Sequence, residues 1–344
     1  GKAYKTNDIA SQGSVDMIVI TGGAGFIGSN LAAALEERRE RDIVICDHLG
    51  TDDKWRNIGK REIAFIVPPD QLLDFLDDHA HDIHVVFHFG AISSTLETDA
   101  DLIIANNFTL SHQLWTWCAA RGCRFFYASS ASTYGAGEAG FEDAASTAAL
   151  AKLRPMNAYG WSKHLFDRRV ARLIERGNPK PGQWVGCKFF NVYGPNEYHK
   201  GPLRSVAHQI YPLAKEGKPA RLFRSYRDGI PDGGQQRDFV YVRDCIEMLL
   251  WLYDNPEVSG LFNMGSGQAR SFADLAAAVY RAVGREPQIQ FIEMPPAIRE
   301  RYQYFTEASL KKLQGVGYKQ PTTPLDDGIN HYVRTYLSAD DPYR

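Results

Sequence analysis

The chain has 344 residues, of which 44% are hydrophobic and 23% are charged, as in ordinary soluble proteins of one large or two modest domains. The net charge of −2 provides no basic surface for nucleic acid or an anionic membrane, and no stretch approaches the ~18–20 apolar residues of a membrane span. Five scattered cysteines without a CxxC pair favour buried thiols in a reducing cytoplasm, and no metal site is predicted.

Short apolar runs alternate with helical patterns along the first half of the chain. Residues 1–16 are polar and lack the apolar segment of a signal peptide, so we expect a disordered extension there. Strands are predicted at residues 17–21, 42–47, 84–89, 124–129 and 185–193, and helices at 26–40, 69–78, 106–120 and 159–175. Because the strands are continuously apolar, they predict an α/β fold with a doubly wound parallel (Rossmann) sheet covered on both faces.

The pattern changes after Gly194. Residues 195–237 are rich in predicted loops, with a surface excursion at 228–236, and another loop covers 138–156. Short strands are predicted at 238–242 and 261–264, followed by an amphipathic helix at 271–283. We therefore expect a Rossmann domain of residues 17–190 plus about 238–263, and a smaller C-terminal α/β substrate domain of about 191–237 and 264–344.

A glycine cluster lies between the first predicted strand and the first predicted helix. Gly22, Gly23, Gly25 and Gly28 match the dinucleotide fingerprint GxGxxG and its looser form GxxGxxG. Glycines allow a tight turn and a close approach of the backbone to a pyrophosphate, which then lies on the helix N-terminus. The motif alone is weak, but its position between strand and helix favours a dinucleotide site.

Asp47 ends the second predicted strand, where a carboxylate binds the ribose hydroxyls of NAD. His48 and Lys54 follow closely and could accept the 2′-phosphate of NADP. They could equally be exposed loop charges. The sequence therefore leaves NAD and NADP as alternatives.

Tyr159 and Lys163 are four residues apart on a predicted helix and therefore share one face. A phenol has a pKa of ~10 and is a poor base, but a nearby ammonium and an oxidised nicotinamide favour the phenolate. Ser130 lies in a Ser-rich turn after a predicted strand, where ligands bind in parallel sheets, and could hold a substrate hydroxyl. By itself the Tyr/Lys pair would be an ordinary helix surface. Downstream of a dinucleotide fingerprint it predicts oxidation at a hydroxyl-bearing carbon.

The motifs TGGAGFIGSN, SSASTYG, YGWSK and FFNVYGP resemble the extended short-chain dehydrogenase/reductase family of nucleotide-sugar epimerases and dehydratases, over about residues 17–335. The segments FHFGAISSTLET, NVYGPNEYHKG, RDFVYVRD, FNMGSGQARSF and RYQYFTEASL are similar to the branch of that family acting on ADP-heptose in lipopolysaccharide core synthesis. The resemblance implies NAD(P)-dependent inversion of C6″ through a transient aldehyde, with the cofactor tightly bound and recycled. It also implies a homo-oligomer, specifically a pentamer.

The resemblance also assigns roles to residues. It implies a catalytic triad of Ser130, Tyr159 and Lys163, with Lys200 as a second base on the opposite face. Beside the glycines, it implies cofactor contacts by Phe26, Ile27, Asp47, His48, Lys54, Phe89, Gly90, Ala91, Ile92, Ser93, Asn106, Lys163 and Val192. It implies substrate contacts by Ser93, Asn191, Gln209, Phe223, Arg224, Ser225, Tyr226, Arg237 and Tyr302. From the residues alone, Lys200 would be a solvated loop lysine and Arg224 a surface arginine.

The chain departs from the family pattern near the sugar. Pro202 stands where a serine is expected and Gln209 where a histidine is expected, and residues 227–236 resemble an insertion. Residues 65–69 lack the acidic pair that would contact adenine. The alternatives are another family enzyme, such as a hexose 4-epimerase or a dehydratase, and a non-catalytic cofactor sensor. Ala131 follows Ser130 where a dehydratase usually has an acid, and the intact Tyr/Lys pair disfavours a sensor.

Overall fold

The computed structural model describes residues 16–40 and 42–344, so the predicted extension lies outside the described residues except for Asp16. The strands are β1 (Met17–Thr21), β2 (Asp42–Cys46), β3 (Phe65–Val67), β4 (Ile83–His88), β5 (Arg124–Ser130), β6 (Trp184–Phe189), β7 (Asn191–Tyr193), β8 (Ala220–Phe223), β9 (Gln236–Tyr241), β10 (Gly260–Met264), β11 (Ala269–Ser271) and β12 (Ile289–Ile292). The α-helices are α1 (Phe26–Glu37), α2 (Leu72–Asp78), α3 (Ala100–Ile104), α4 (Leu110–Arg121), α5 (Thr147–Leu150), α6 (Ala158–Glu175), α7 (Val206–Glu216), α8 (Val242–Asp254), α9 (Phe272–Ala282), α10 (Pro296–Arg299), α11 (Lys311–Gly315) and α12 (Leu325–His331). Short 3₁₀ segments cover Asp53–Asn57, Pro69–Gln71, Ala131–Tyr134 and Tyr198–Leu203, and π-helical turns cover Ala105–Thr109 and Tyr332–Leu337.

Seven strands form one parallel sheet in the order β10-β6-β5-β4-β1-β2-β3. Every residue of β1 is buried, as expected for a strand with helices on both faces. Ile20 of β1 pairs with Ile45 of β2 on one side and Phe87 of β4 on the other. The chain therefore reverses its winding direction between β1 and β4, and such a switch point opens a crevice at the carboxyl ends of the strands. The predicted doubly wound sheet is confirmed.

The prediction of one strand over residues 185–193 is wrong. At Phe190 the backbone leaves the large sheet: its N–H donates to Met264 O, and its own carbonyl accepts from Val192 N (3.0 Å) in a three-residue turn. β6 stays in the large sheet, whereas β7 pairs with β9 in a separate three-stranded sheet, β11-β9-β7. The sequence concealed the turn because an almost continuous run of strand-forming residues crosses it.

Residues 195–237 contain more regular structure than predicted. Ser205 caps the start of α7, where its hydroxyl accepts from His208 N, and Gly217, with φ of 71°, caps its end. Pro212 inside the helix obscured the pattern, because proline usually ends a predicted helix. β8 then pairs in parallel with β12 in a two-stranded sheet.

The second half of the chain extends both parts of the fold. α8 packs against α1 and β10 joins the large sheet, whereas β9 pairs with β7 and β11. The proposed division into two domains places residues 238–263 with the Rossmann sheet, and within that range β9 is the element that pairs elsewhere. Among the described residues, no helix has the length and apolar character needed to cross a membrane.

Candidate active site

A cleft of about 440 Å³ opens at the carboxyl ends of the central strands. Predicted site residues that line it are Gly22, Gly25, Phe26, Ile27, Gly28, Asp47, Lys54, Phe89, Gly90, Ala91, Ser93, Ser130, Tyr159, Lys163, Val192 and Lys200. Lining residues that the sequence analysis did not assign to the site are Ala128, Ser129, Phe189, Phe190, His199 and Leu203. A wider groove of about 670 Å³ lies beside Phe305 and Lys311, but it contains none of the predicted site residues.

The glycine turn forms a cradle between β1 and α1. Gly22 has φ of 63°, and a Cβ atom there would lie 2.6 Å from Gly90 N. A Cβ atom on Gly28 would lie 2.3 Å from Gly22 O, so only glycine allows this close packing. Gly25 caps α1 without a side-chain hydrogen bond, and the first turn carries no acidic residue. The N–H groups at the helix start therefore suit the pyrophosphate of a dinucleotide.

A buried hydrogen-bond chain holds the opposite wall of this cradle. Gly90 N donates to Thr21 Oγ1, which lies 2.6 Å from His88 Nδ1, and His88 Nε2 lies 2.9 Å from Ser111 Oγ. Because Ser111 Oγ donates to Asn107 O (2.8 Å), it accepts from His88 Nε2, which leaves Nδ1 to accept from Thr21. Burial lowers the pKa of His88 to about 3, so the ring is neutral. Sequence analysis missed this histidine because it lies inside an apolar strand.

Asp47 lines the cleft beside the glycine turn. Its Oδ2 accepts from Ala24 N at 3.0 Å, and its Oδ1 accepts from His48 N at 2.8 Å and from Lys54 Nζ at 2.7 Å. Lys54 Nζ also donates to His48 O at 2.9 Å. The lysine therefore neutralises the carboxylate, whereas the exposed His48 is absent from the cleft lining.

The loop after β4 is anchored by Asn107 rather than by Asn106. Asn107 is buried, and its amide exchanges two hydrogen bonds with the backbone of Ile92, at 2.8 and 2.9 Å. Asn106 instead donates to Leu102 O at 2.9 Å within its own helix. The structure therefore brings neither the Asn106 side chain nor Ile92 into the cleft lining, and Asn107 supports the wall from behind.

Tyr159 and Lys163 enter the cleft from the first turns of α6, which Asn157 caps by accepting from Gly160 N at 2.7 Å. Burial raises the pKa of Tyr159, and a hydrogen bond with Ser130 opposes that rise. Burial lowers the pKa of Lys163 to about 8, against the opposing charge of Asp167. The protein by itself therefore does not favour the phenolate, and the expected lowering depends on the positive charge of an oxidised nicotinamide.

A buried ion pair lies behind this pair. Asp167 accepts hydrogen bonds from Ser129 Oγ at 2.6 Å and Tyr127 OH at 3.0 Å, and Lys188 Nζ lies 3.7 Å away. Burial raises the pKa of Asp167, and the charge of Lys188 opposes it most strongly. Since a buried charge needs a partner and hydrogen bonds, the cluster keeps a carboxylate close to Lys163.

Lys200 lies in the cleft rather than in solvent, so the solvated-lysine alternative is wrong. Its Nζ lies 5.3 Å from the centre of the Phe26 ring, where the helix α1 begins. Burial lowers the pKa of Lys200, and the buried Glu197 carboxylate opposes this. A lysine with a lowered pKa is a better proton acceptor near neutral pH.

The predicted substrate residues lie outside the lining of this cleft, except Ser93. Three of them form a cluster: the Arg237 guanidinium lies 5.2 Å from the Tyr302 ring, which Phe223 meets edge-on at 6.1 Å. Arg237 is 8% exposed. Asn191 and Gln209 are exposed, and Gln209 donates to Arg204 O at 2.7 Å.

The segment with Arg224, Ser225 and Tyr226 is held by acidic side chains. Arg224 pairs with Asp232 at 3.3 Å and with Glu293 at 3.6 Å. Ser225 N donates to Asp232 Oδ1 at 2.7 Å, and Tyr226 OH donates to Glu293. Arg224 is therefore an exposed arginine in ion pairs. Through Asp232, the predicted surface excursion at 228–236 contacts Arg224 and Ser225.

A family model described as the NAD dependent epimerase/dehydratase family matches residues 18–265. A protein of Nitratidesulfovibrio vulgaris (strain DP4) named ADP-L-glycero-D-manno-heptose-6-epimerase is 46% identical over 329 residues, which cover 95% of this chain and 100% of that protein. A protein of the same name from Fusobacterium nucleatum is 44% identical over 335 residues, with the same coverage.

Two solved structures are similar in fold and sequence. The ADP-L-glycero-D-manno-heptose-6-epimerase of Helicobacter pylori has a TM-score of 0.75 at 26% identity, covering 95% of this chain and 97% of that chain. The UDP-glucose 4-epimerase of Thermus thermophilus, in complex with NAD, has a TM-score of 0.75 at 26% identity, covering 94% of this chain and 99% of that chain.

Proposed function

The chain belongs to the NAD dependent epimerase/dehydratase family, and from this membership we propose that it inverts C6″ of ADP-D-glycero-D-manno-heptose to give the L-glycero epimer. The observation that carries the proposal is that two groups able to transfer protons, Tyr159 and Lys200, line one cleft beside a dinucleotide cradle. An epimerase needs both, because one fixed side chain cannot reach both faces of the same carbon.

The residues of the cleft have separate roles in this reaction. A bound nicotinamide would supply the hydride acceptor for C6″ and the hydride donor for the other face of the resulting aldehyde, which would make the reaction redox-neutral. Tyr159 takes the hydroxyl proton on one face while Ser130 holds the same oxygen. Lys163 binds the nicotinamide ribose, and its charge stabilises the phenolate. Lys200 exchanges the proton on the other face.

Two observations favour this reaction over its rivals. The relatives that are 44–46% identical over 95% of this chain are named heptose epimerases. A dehydratase would use an acid after Ser130, but Thr133 instead donates to Ser130 O at 2.7 Å and accepts from the buried Lys188 at 2.9 Å. No carboxylate follows Ser130 in this turn.

The ribose end is compatible with NADP as well as NAD. An unpaired Asp47 would repel a 2′-phosphate, but its ion pair with Lys54 removes most of that repulsion. The free N–H groups at the start of α1 hold the pyrophosphate in either case. We infer that the enzyme accepts both dinucleotides and retains the bound one between turnovers.

The enzyme is proposed to form a homo-oligomer, a pentamer by resemblance, in the cytoplasm. Large apolar side chains exposed at Leu96 (74%), Trp55 (54%) and Ile66 (51%) support association of copies. All five cysteines are free and buried, which suits a reducing compartment. Light scattering of the purified protein would give the copy number, and a monomeric mass would contradict this proposal.

Product analysis tests the function directly. The purified protein is incubated with ADP-D-glycero-D-manno-heptose without added cofactor, and the epimers are separated. We expect conversion to the L-glycero epimer, with a Tyr159→Phe, Lys200→Met double variant as the control that should give none. Conversion of a UDP- or GDP-hexose instead would exclude the heptose assignment. Inertness toward all of them, with NAD and NADP added, would exclude catalysis.

A further inference from the structure

Residues 341–344 lie across two neighbouring segments, each of which supplies a lysine to the cleft lining. The first is residues 53–60, which carry Lys54 at the ribose end. Lys60 Nζ donates to Tyr343 O at 2.7 Å and pairs with Asp341 at 2.8 Å. The Arg56 guanidinium lies 4.5 Å from the centre of the Tyr343 ring.

The second segment is residues 196–200, which end at Lys200. Tyr198 OH donates to Pro342 O at 2.8 Å, and its ring meets the Tyr343 ring edge-on at 5.2 Å. Arg344 N donates to Asn196 Oδ1 at 3.0 Å. Tyr343 is 9% exposed, so its ring is packed between the two segments rather than lying on the surface.

The Lys200 segment is held by side-chain hydrogen bonds more than by regular structure: Asn196 donates to Ser29 Oγ at 3.0 Å, and Glu197 accepts from Ser205 Oγ at 2.8 Å. The segment belongs to a short 3₁₀ stretch, interrupted at Gly201 (φ 55°), and hydrogen bonds of this helix type have poorer geometry than those of an α-helix. On its inner side, Asn57 donates to Ala24 O at 2.8 Å and lies 3.2 Å from His199 Nδ1. Asn57 thus joins the 53–60 segment to the Lys200 segment from within, and residues 341–344 join the same two segments from outside.

We propose that residues 341–344 form a clamp that positions Lys200 over Phe26 for proton transfer. The inference rests on the proposed function of Lys200. A base must lie within hydrogen-bond reach of its proton, and a displacement of about 1 Å can cost on the order of 10²-fold in rate. Tyr343 and Pro342 do not line the cleft, so they act through Tyr198 and are positioning residues.

Comparing the oxidation of the two epimers distinguishes a misplaced Lys200 from a general loss of activity. Each epimer loses its hydroxyl proton to only one of the two bases, so Lys200→Met identifies the epimer whose oxidation requires Lys200. The rate of oxidation of each epimer is measured in single turnover from the absorbance of the reduced nicotinamide. Tyr343→Ala should lower the oxidation rate of the Lys200-dependent epimer at least tenfold, and that of the other epimer less than twofold. The exposed Asp340→Ala, in the same stretch of chain, is the control and should match the wild type. Equal slowing of both epimers, or no slowing, would overturn the clamp.

Hydrogen exchange gives a readout that does not depend on turnover. In Tyr343→Ala and in the milder Tyr198→Phe, peptides covering residues 196–203 and 53–60 should exchange faster, while the β1 peptide stays protected. Unchanged exchange at 196–203 in Tyr343→Ala would also overturn the clamp. A wild type that turns over neither epimer would instead refute the proposed function, and the exchange experiment would still decide whether residues 341–344 hold the segment.

Discussion

Three charged side chains lie buried in the region behind Tyr159. Lys163 is 4% exposed, and the side chains of Asp167 and Lys188 are fully buried. Asp167 favours the charged form of Lys163, and Lys188 in turn favours the charged form of Asp167. Since breaking a buried pair leaves an uncompensated charge, the three residues depend on one another.

Asp167→Asn should move the pH dependence of the reaction. Removing the carboxylate disfavours the Lys163 ammonium, so its pKa falls below the wild-type value of about 8. The high-pH limb of the kcat/KM profile should therefore shift to lower pH by about one unit. The exposed Asp74→Asn serves as the control. If the high-pH limb does not move, deprotonation of Lys163 is not the cause of that limb.

Lys54→Met should change the choice of cofactor. The variant keeps the side-chain length but leaves Asp47 without its ion pair, so the carboxylate repels a 2′-phosphate. We expect the affinity for NADP to fall about tenfold relative to that for NAD, a differential of ~1.4 kcal/mol. Titration of the cofactor-free protein with each dinucleotide measures the ratio, with the exposed Lys311→Met as the control. An unchanged ratio would contradict the role of Lys54.

His88 should make the fold sensitive to acid. Its pKa is about 3 in the folded protein against ~6.5 for an ordinary histidine, so the unfolded chain binds more protons between these values. Stability is therefore lost as the pH falls through this window, by up to about 4–5 kcal/mol from this residue. Because asparagine does not titrate, the free energy of unfolding of His88→Asn, measured with denaturant, should fall less between pH 7 and pH 4 than that of the wild type. Equal losses in both proteins would contradict this.

At the scale of elements, the connection between β1 and α1 forms the proposed cofactor cradle. The turn is tight enough that Gly25 N donates to Gly22 O at 2.9 Å, and Asp47 at the end of β2 supports it through Ala24 N. Such local features were predictable, because strand, glycine turn and helix follow one another directly. The break between β6 and β7 at Phe190 was not, because it depends on a backbone partner, Met264, far along the chain.

Gly28→Ala should remove cofactor binding without unfolding the protein. Its Cβ would lie 2.3 Å from Gly22 O, so either α1 or the turn must move away from the pyrophosphate position. We expect at least a tenfold loss of dinucleotide affinity, measured as cofactor retained after purification and by titration. Gly315→Ala is the matched control, since a Cβ there meets nothing within 4 Å. Full cofactor retention in Gly28→Ala would contradict the cradle.

At the scale of the whole molecule, the cleft is built from parts that are distant in sequence. Gly22, Lys54, Ser130, Lys163 and Lys200 come from five separate segments that meet at one edge of the sheet. A ligand that bridges such segments stabilises the folded state by binding it and not the unfolded chain.

Removing the dinucleotide should therefore lower the stability of the whole chain. At a cofactor concentration 100 times its Kd, the stabilisation is about 2.7 kcal/mol. We expect the Tm of stripped protein to be lower and to rise progressively as NAD or NADP is added back. ADP alone should give a smaller rise, since it reaches only the ribose and pyrophosphate positions. A Tm independent of added dinucleotide would place the cofactor elsewhere.

The sequence by itself determined the parallel sheet, the glycine turn with Asp47, and the Tyr159/Lys163 pair, because local runs and spacings of residue types predict each of them. Family resemblance added Lys200, which the local pattern alone predicts to be a solvated lysine. Tertiary structure decided the rest: the burial of Lys200 over Phe26, the Asp47–Lys54 ion pair, the selection of Asn107 over Asn106, and the clamp at 341–344. These features arise from long-range packing and desolvation, which no local pattern of residue types encodes.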